Sequence, residues 1–258
     1  MAFLDKLRQL FRYDGVPSEL KAAGLSPEVM RKLGEELEKE VARPPRIALI
    51  GETGVGKTST INALFNKGLE ISHTRACTQF EVEIVGDRGG EVRVFDMPGL
   101  GEDIESDKAH FDAYRRIVPE VDVTVWILKA DNRAMTHVQA VLQRLVNEEV
   151  LQPDRLVVAL NQVDLLQPGA WDTVINQPSP EQEKTIAARR ADVVEKLRQV
   201  IKLPNDRIVA YSALKFYSLE PLFEAMLHAC EERRRWVLFE RASCADFNQL
   251  VDAGAGAE

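Results

Sequence analysis

The chain has 258 residues, 45% of them hydrophobic and 29% charged, with a formal net charge of −8. This is a globular composition that excludes global disorder, and its acidic balance argues against bulk electrostatic binding to nucleic acid or anionic lipid. Cys77, Cys230 and Cys244 lie far apart without a CxxC, which speaks against a disulfide framework or a cysteine zinc site and for a reducing compartment.

In chain order, residues 1–43 read as helices. Phe3, Leu4, Leu7, Leu10 and Phe11 fall on one face, with Lys6, Arg8 and Arg12 elsewhere. Three uses stay open for that face: packing on the domain, docking a partner or second copy, or touching a membrane surface. A helix is predicted from Ser26-Pro27-Glu28, with serine as cap and proline in the first turn. Pro44-Pro45 forbids its continuation.

From Arg46 the rhythm changes. Residues 46–50 (RIALI), 123–128 (VTVWIL), 155–160 (RLVVAL) and 207–211 (RIVAY) are short apolar runs of the kind that form buried parallel strands. Residues 80–85 and 91–95 alternate around a glycine-rich link and predict a hairpin. Helices are expected over 57–66, 108–118, 136–149 and 181–201. Strand and helix in alternation predict an α/β fold, a mainly parallel sheet covered on both faces. Residues 166–180 hold three prolines and a glycine and read as a loop insertion, with Trp171 as its anchor. A last helix begins near Leu219 and continues through Arg233-Arg234-Arg235 toward Phe239. The arginine run reads as a solvated face, with an RNA contact as the sharper alternative. The tail from Asp252 reads as disordered. The expected division is a helical extension over 1–45, a nucleotide-binding domain over 46–230, and a helix end with tail over 231–258. No run approaches 18 apolar residues and the N-terminus has no secretory pattern, so the expected location is cytoplasmic.

Residues 51–58, GETGVGKT, match the phosphate-loop pattern G-x-x-x-x-G-K-[ST] between a strand and a helix. Glycines let successive amides curl around phosphate oxygens, and the helix N-terminus adds partial positive charge. The amides of Glu52, Thr53, Gly54, Val55, Gly56, Lys57, Thr58 and Ser59 form the expected cradle. Lys57 is expected to reach the β- and γ-phosphates and Thr58 to hold Mg²⁺. Asp96-Met97-Pro98-Gly99 ends a strand, which places Asp96 for the Mg²⁺ shell and the Gly99 N–H for the γ-phosphate. Without a phosphate loop, the same residues would read as a simple turn.

Asn161-Gln162-Val163-Asp164 follows another strand. A carboxylate there accepts from guanine N1–H and the 2-amino group, whereas adenine would leave it unpaired. Sites of this kind discriminate by roughly 10⁴-fold. The competing reading is a strand-end turn. Ser212-Ala213-Leu214-Lys215 follows the last strand, and its Ala213 N–H is placed to meet guanine O6. The histidines His73, His110, His137 and His228 show no ligand spacing and read as structural.

GETGVGKT, DMPG, NQVD and SALK, in that order and each after a strand, resemble the translation-factor-related P-loop GTPases. The resemblance is to the Era/EngA/YihA/septin-like group and its YfjP-like members, over residues 46–229. It implies a six-stranded, mostly parallel sheet with one antiparallel strand, and GTP/GDP with Mg²⁺ as ligands. It also implies that Thr78, with Thr74 as competitor, completes the Mg²⁺ shell. Three departures stand out. Gln162 replaces the usual lysine of the guanine motif. Leu100 stands where Ras-like relatives carry the water-orienting glutamine, so slow hydrolysis is expected. Gly54 replaces the asparagine of potassium-activated relatives. The resulting expectation is a slow GTPase switch acting on a protein effector or activator. The alternative is a GTP-gated assembly protein that pairs into a homodimer, and ribosome or RNA association is implied only weakly.

Overall fold

The computed structural model describes residues 26–65, 69–72, 81–86, 91–99 and 104–242. Helix α1 (Pro27–Ala42) starts where expected, and the Ser26 hydroxyl accepts from the Val29 amide at 3.3 Å. Strand β1 (Arg46–Ile50) leads through the phosphate loop to α2 (Lys57–Phe65). Strands β2 (Leu69–Ser72), β3 (Glu81–Gly86) and β4 (Glu91–Asp96) follow, then α3 (Ile104–Ile117), β5 (Val123–Lys129) and α4 (Met135–Asn147). After β6 (Leu156–Asn161) comes a small hairpin, β7 (Trp171–Asp172) and β8 (Gln177–Pro178). Helix α5 (Pro180–Leu197), β9 (Ile208–Ala210), α6 (Leu219–Ala229) and α7 (Glu232–Ala242) complete the described chain.

The main sheet runs β2-β3-β4-β1-β5-β6-β9. Strands β4, β1, β5, β6 and β9 are mutually parallel, and β3 pairs antiparallel with both β4 and β2. The antiparallel strand is the expected one, but the sheet has seven strands rather than six. The extra member, β2, is a four-residue edge strand, too short to carry a readable alternation.

Alternation in β1 explains the two cores. Ala48 and Ile50 face one layer with Trp126, Leu128, Tyr114 of α3, Leu142 of α4 and Val193 of α5. Ile47 and Leu49 face the other, with Val125, Ile127, Leu64 of α2, Leu222 of α6 and Leu238 of α7. Because both faces are covered, the central strands are apolar over most of their length, with Thr124 and Asn161 as buried polar exceptions.

Two expectations need correction. The final helix is not continuous: α6 stops at Ala229, and Cys230 (φ −74°, ψ 140°) turns the chain before α7. No glycine or proline marks this break. The arginine run is not a uniform solvated face either. Arg234 is only 1% exposed and joins a buried ionic node with Asp122, which is 5% exposed. Asp122 also accepts from Arg43 at 2.6 Å and from the Arg46 amide at 2.9 Å. Arg234 donates to the carbonyls of Glu40 and Arg43 as well. The node therefore ties α1 and α7 to the sheet at the end where β1 and β5 begin.

Candidate functional site

The sequence motifs converge at the opposite end, where the parallel strands finish. The phosphate loop leaves β1 at Gly51. Lys57, on the first turn of α2, donates from Nζ to the Gly51 and Glu52 carbonyls, both at 3.1 Å. The helix N-terminus and this ammonium thus face the same curl of backbone. Gly56 has φ +94°, and a Cβ there would lie 2.4 Å from Asn161 Nδ2, so only glycine fits.

Thr58 Oγ1 donates to Asp96 Oδ2 at 2.5 Å. A hydroxyl and a carboxylate side by side, at the mouth of a phosphate loop, are the hard oxygen donors that Mg²⁺ takes. The residues present therefore fit that ion. Gly99 approaches the phosphate loop closely: a Cβ there would be 2.4 Å from Thr53 Oγ1 and 2.7 Å from the Thr53 amide nitrogen. Thr78, its competitor Thr74, and Leu100 lie outside the described residues.

On the base side, Asn161 is buried and both its amide nitrogen and its oxygen are bonded. Nδ2 donates to the Val55 carbonyl at 2.9 Å, while Oδ1 accepts from the Gln162 amide at 2.8 Å and the Ala213 amide at 3.0 Å. One side chain thereby joins the phosphate loop, the 161–164 loop and the 212–215 loop. The Ala213 N–H, expected to meet guanine O6, here donates to Asn161 Oδ1. Gln162 takes a left-handed conformation (φ 65°), and its Nε2 lies 3.3 Å from the Gly54 carbonyl. Its side chain thus reaches back to the phosphate loop.

Asp164 Oδ1 is buried and has no hydrogen-bond partner. A buried carboxylate oxygen left unpaired is costly, so its position fits a ligand that donates to it. Guanine, with two adjacent N–H donors, fits this requirement. Ser212 Oγ accepts from the Lys215 amide at 3.1 Å and closes the neighbouring loop.

Two residues not singled out from the sequence hold the Asp96–Gly99 segment. His110 Nδ1 lies 2.7 Å from the Gly99 carbonyl, and the Tyr114 hydroxyl donates to the Pro98 carbonyl at 2.9 Å. A carbonyl only accepts, so His110 carries its proton on Nδ1. Both residues sit on α3, eleven and sixteen positions further on, and no sequence spacing announces the contacts.

Residues 46–162 match the family described as 50S ribosome-binding GTPase. The uncharacterized protein YkfA of Escherichia coli strain K12 is 28% identical over 209 residues, covering 80% of this chain and 69% of YkfA. YfjP of the same strain is 26% identical, over 82% and 71%. Among solved structures, an Era variant of Aquifex aeolicus bound to GDP and AlF4⁻ superposes with a TM-score of 0.52 at 20% identity. That match covers 72% of this chain, which spans 57% of the Era chain. At that identity the likeness shows the fold. The resemblance read from the four motifs is borne out by these matches.

Proposed function

We propose that this chain, a P-loop GTPase over residues 46–162, binds GTP with Mg²⁺ and hydrolyses it slowly to GDP and phosphate as a nucleotide-dependent switch. The observation that carries the reading is the buried, unpartnered Asp164 Oδ1, on the loop whose Asn161 is bonded to the phosphate loop. Asp164 would accept from guanine N1–H and the 2-amino group. The loop amides from Glu52 to Ser59, with Lys57, would stabilise charge that builds on the β–γ bridging oxygen as water attacks the γ-phosphorus. Thr58, Asp96 and Thr78 would hold Mg²⁺, which supplies charge neutralisation to the phosphate oxygens. The Gly99 amide would sense the γ-phosphate, and its release would relax the segment.

The reading is tested by competing GTP, ATP and XTP against a fluorescent GDP on the wild type and Asp164→Asn, with phosphate release measured in parallel. GTP is expected to win over ATP, and the variant to move toward xanthine. Equal competition by ATP with an indifferent variant overturns the base assignment.

A second reading is a GTP-gated assembly protein. The apolar side chains of Leu165, Val174, Ile175 and Leu214 stand exposed around the base side and favour it. Nucleotide-dependent dimerisation without phosphate release would establish it. A ribosomal partner is supported by the family description alone, and co-sedimentation with ribosomal subunits in GTP against GDP tests it.

A further inference from the structure

We propose that the insertion between β6 and α5 is a brace for the two base-side loops. In this role Asn176 and Gln182 are positioning residues that set how well the site distinguishes guanine. The inference rests on the reading of Asp164 and the 212–215 loop given above.

The hairpin β7–β8 forms its own two-stranded sheet and adds nothing to the main one. Its contacts run instead to the base side. At its C-terminal end, Gln182 on the first turn of α5 is fully buried. Gln182 Nε2 donates to the Asp164 carbonyl at 2.9 Å and to the Leu166 carbonyl at 3.1 Å. The peptide that carries the Asp164 carboxylate is thus held by a side chain eighteen residues further on. The start of the insertion packs on the same glutamine. A Cβ on Gly169 (φ +146°) would meet Gln182 Cβ at 2.5 Å, so this approach admits only glycine.

The tip reaches the other loop. Asn176 Nδ2 donates to the Lys215 carbonyl at 2.7 Å, while its Oδ1 accepts from Trp171 Nε1 at 3.0 Å. The Trp171 ring stands edge-on to Tyr217, with centroids 5.3 Å apart. Residues 212–218 need such support. Phe216 (φ 52°) and Ser218 (φ 54°) are left-handed without being glycine, and such conformations persist where surrounding structure over-determines them. The insertion and the first turn of α5 that follows it therefore fix both loops, while the tip residues Val174 and Ile175 stay exposed.

The decisive readout is the ratio of affinities for GDP and IDP. Inosine lacks the 2-amino group, and both ligands share their phosphates, so the ratio reports the base site alone. Asn176→Asp keeps the acceptor for Trp171, suits the left-handed backbone and removes the donor to Lys215. In the full chain it is expected to lower the GDP/IDP ratio by roughly threefold to tenfold and to speed GDP release. A purely structural role would lower the melting temperature and leave the ratio unchanged, which overturns the brace. If Asn176→Asp does not fold, Trp171→Phe, which loses the Nε1–H but keeps an aromatic ring, is read by the same ratio. Asp164→Asn separates the two ideas. If it moves preference toward xanthine while the brace variants keep the wild-type ratio, the brace falls and the base assignment stands. If Asp164→Asn changes nothing, the base assignment falls and takes the brace with it.

Discussion

Tyr211 and Thr60 share a buried hydrogen bond of 2.6 Å that links the base side of the site to the phosphate side. Thr60 Oγ1 donates to the Gly56 carbonyl at 2.7 Å, so the Tyr211 hydroxyl is the donor between the two. Tyr211 immediately precedes the Ser212 loop, and Gly56 closes the phosphate loop. Tyr211→Phe removes one donor without emptying volume. It is expected to cost about 1 kcal/mol in chemical denaturation. GDP affinity is expected to fall severalfold in the same variant, measured by fluorescence competition.

Alkaline pH should expose the same burial. Burial pushes the Tyr211 hydroxyl far above its ordinary value of 10.0, and burial followed by the nearby Asp122 charge pushes the Cys230 thiol up to about 12 from 9.0. Both groups hold their proton more tightly folded than unfolded. Their contribution to stability is therefore complete below the unfolded values and is lost as pH rises through the folded ones. These two groups should leave stability unchanged from neutral pH to about pH 9 and then lower it, by up to ~1.4 kcal/mol per pH unit for each group titrating only in the unfolded chain. Tyr211→Phe should flatten the part of the decline that begins near pH 10.

Gly56→Ala should abolish high-affinity nucleotide binding while leaving the fold. The added Cβ would fall 2.4 Å from Asn161 Nδ2 on a backbone at φ +94°, so either the loop or Asn161 must move. At least a tenfold loss of GDP affinity is expected, equivalent to about 1.4 kcal/mol. Titration calorimetry measures it, and far-ultraviolet circular dichroism checks the fold.

His110→Ala removes the latch on the Gly99 carbonyl but touches neither the phosphate loop nor Asp164. Turnover of GTP should fall about tenfold while GDP affinity stays within about twofold of wild type. His110→Asn, which retains a donor, should recover part of the rate. Steady-state phosphate release gives the first quantity and GDP titration the second.

The buried node makes a contrast within one arginine run. Arg234→Met should destabilise the chain by about 3 kcal/mol, the lower end for a broken buried pair, because Asp122 keeps Arg43 and the Arg46 amide. Arg233→Ala, on an exposed side chain, should leave the denaturation midpoint near the wild-type value.

These residues also show what the sequence made legible. The placement of the phosphate-loop, Asp96 and Asp164 segments was readable because each is a contiguous motif at the end of an apolar run. The central strands were readable because burial on both faces leaves few polar positions. Contacts made across the chain were not. Asn161 reaches Val55 over 106 residues and Ala213 over 52, and no local pattern encodes either. Three adjacent arginines looked solvated because charge runs usually are. Successive helical residues point about 100° apart, however, so one of three can turn inward while its neighbours stay in water. The break at Cys230 was silent for a related reason: apolar periodicity runs through it, and the stop comes from tertiary packing.

The Asn161 amide has a consequence for how a nucleotide is held. Because one side chain fastens all three loops, the proposed phosphate and base sites form a single preformed surface. On the proposed assignment, capturing the phosphates would present the base to Asp164 at a high effective concentration, so the free energies of the two ends would combine. Guanosine and pyrophosphate offered separately should each bind feebly, while their covalent union binds tightly. An Asn161→Ala chain would lose chiefly this chelate advantage, with each fragment's own weak affinity less affected.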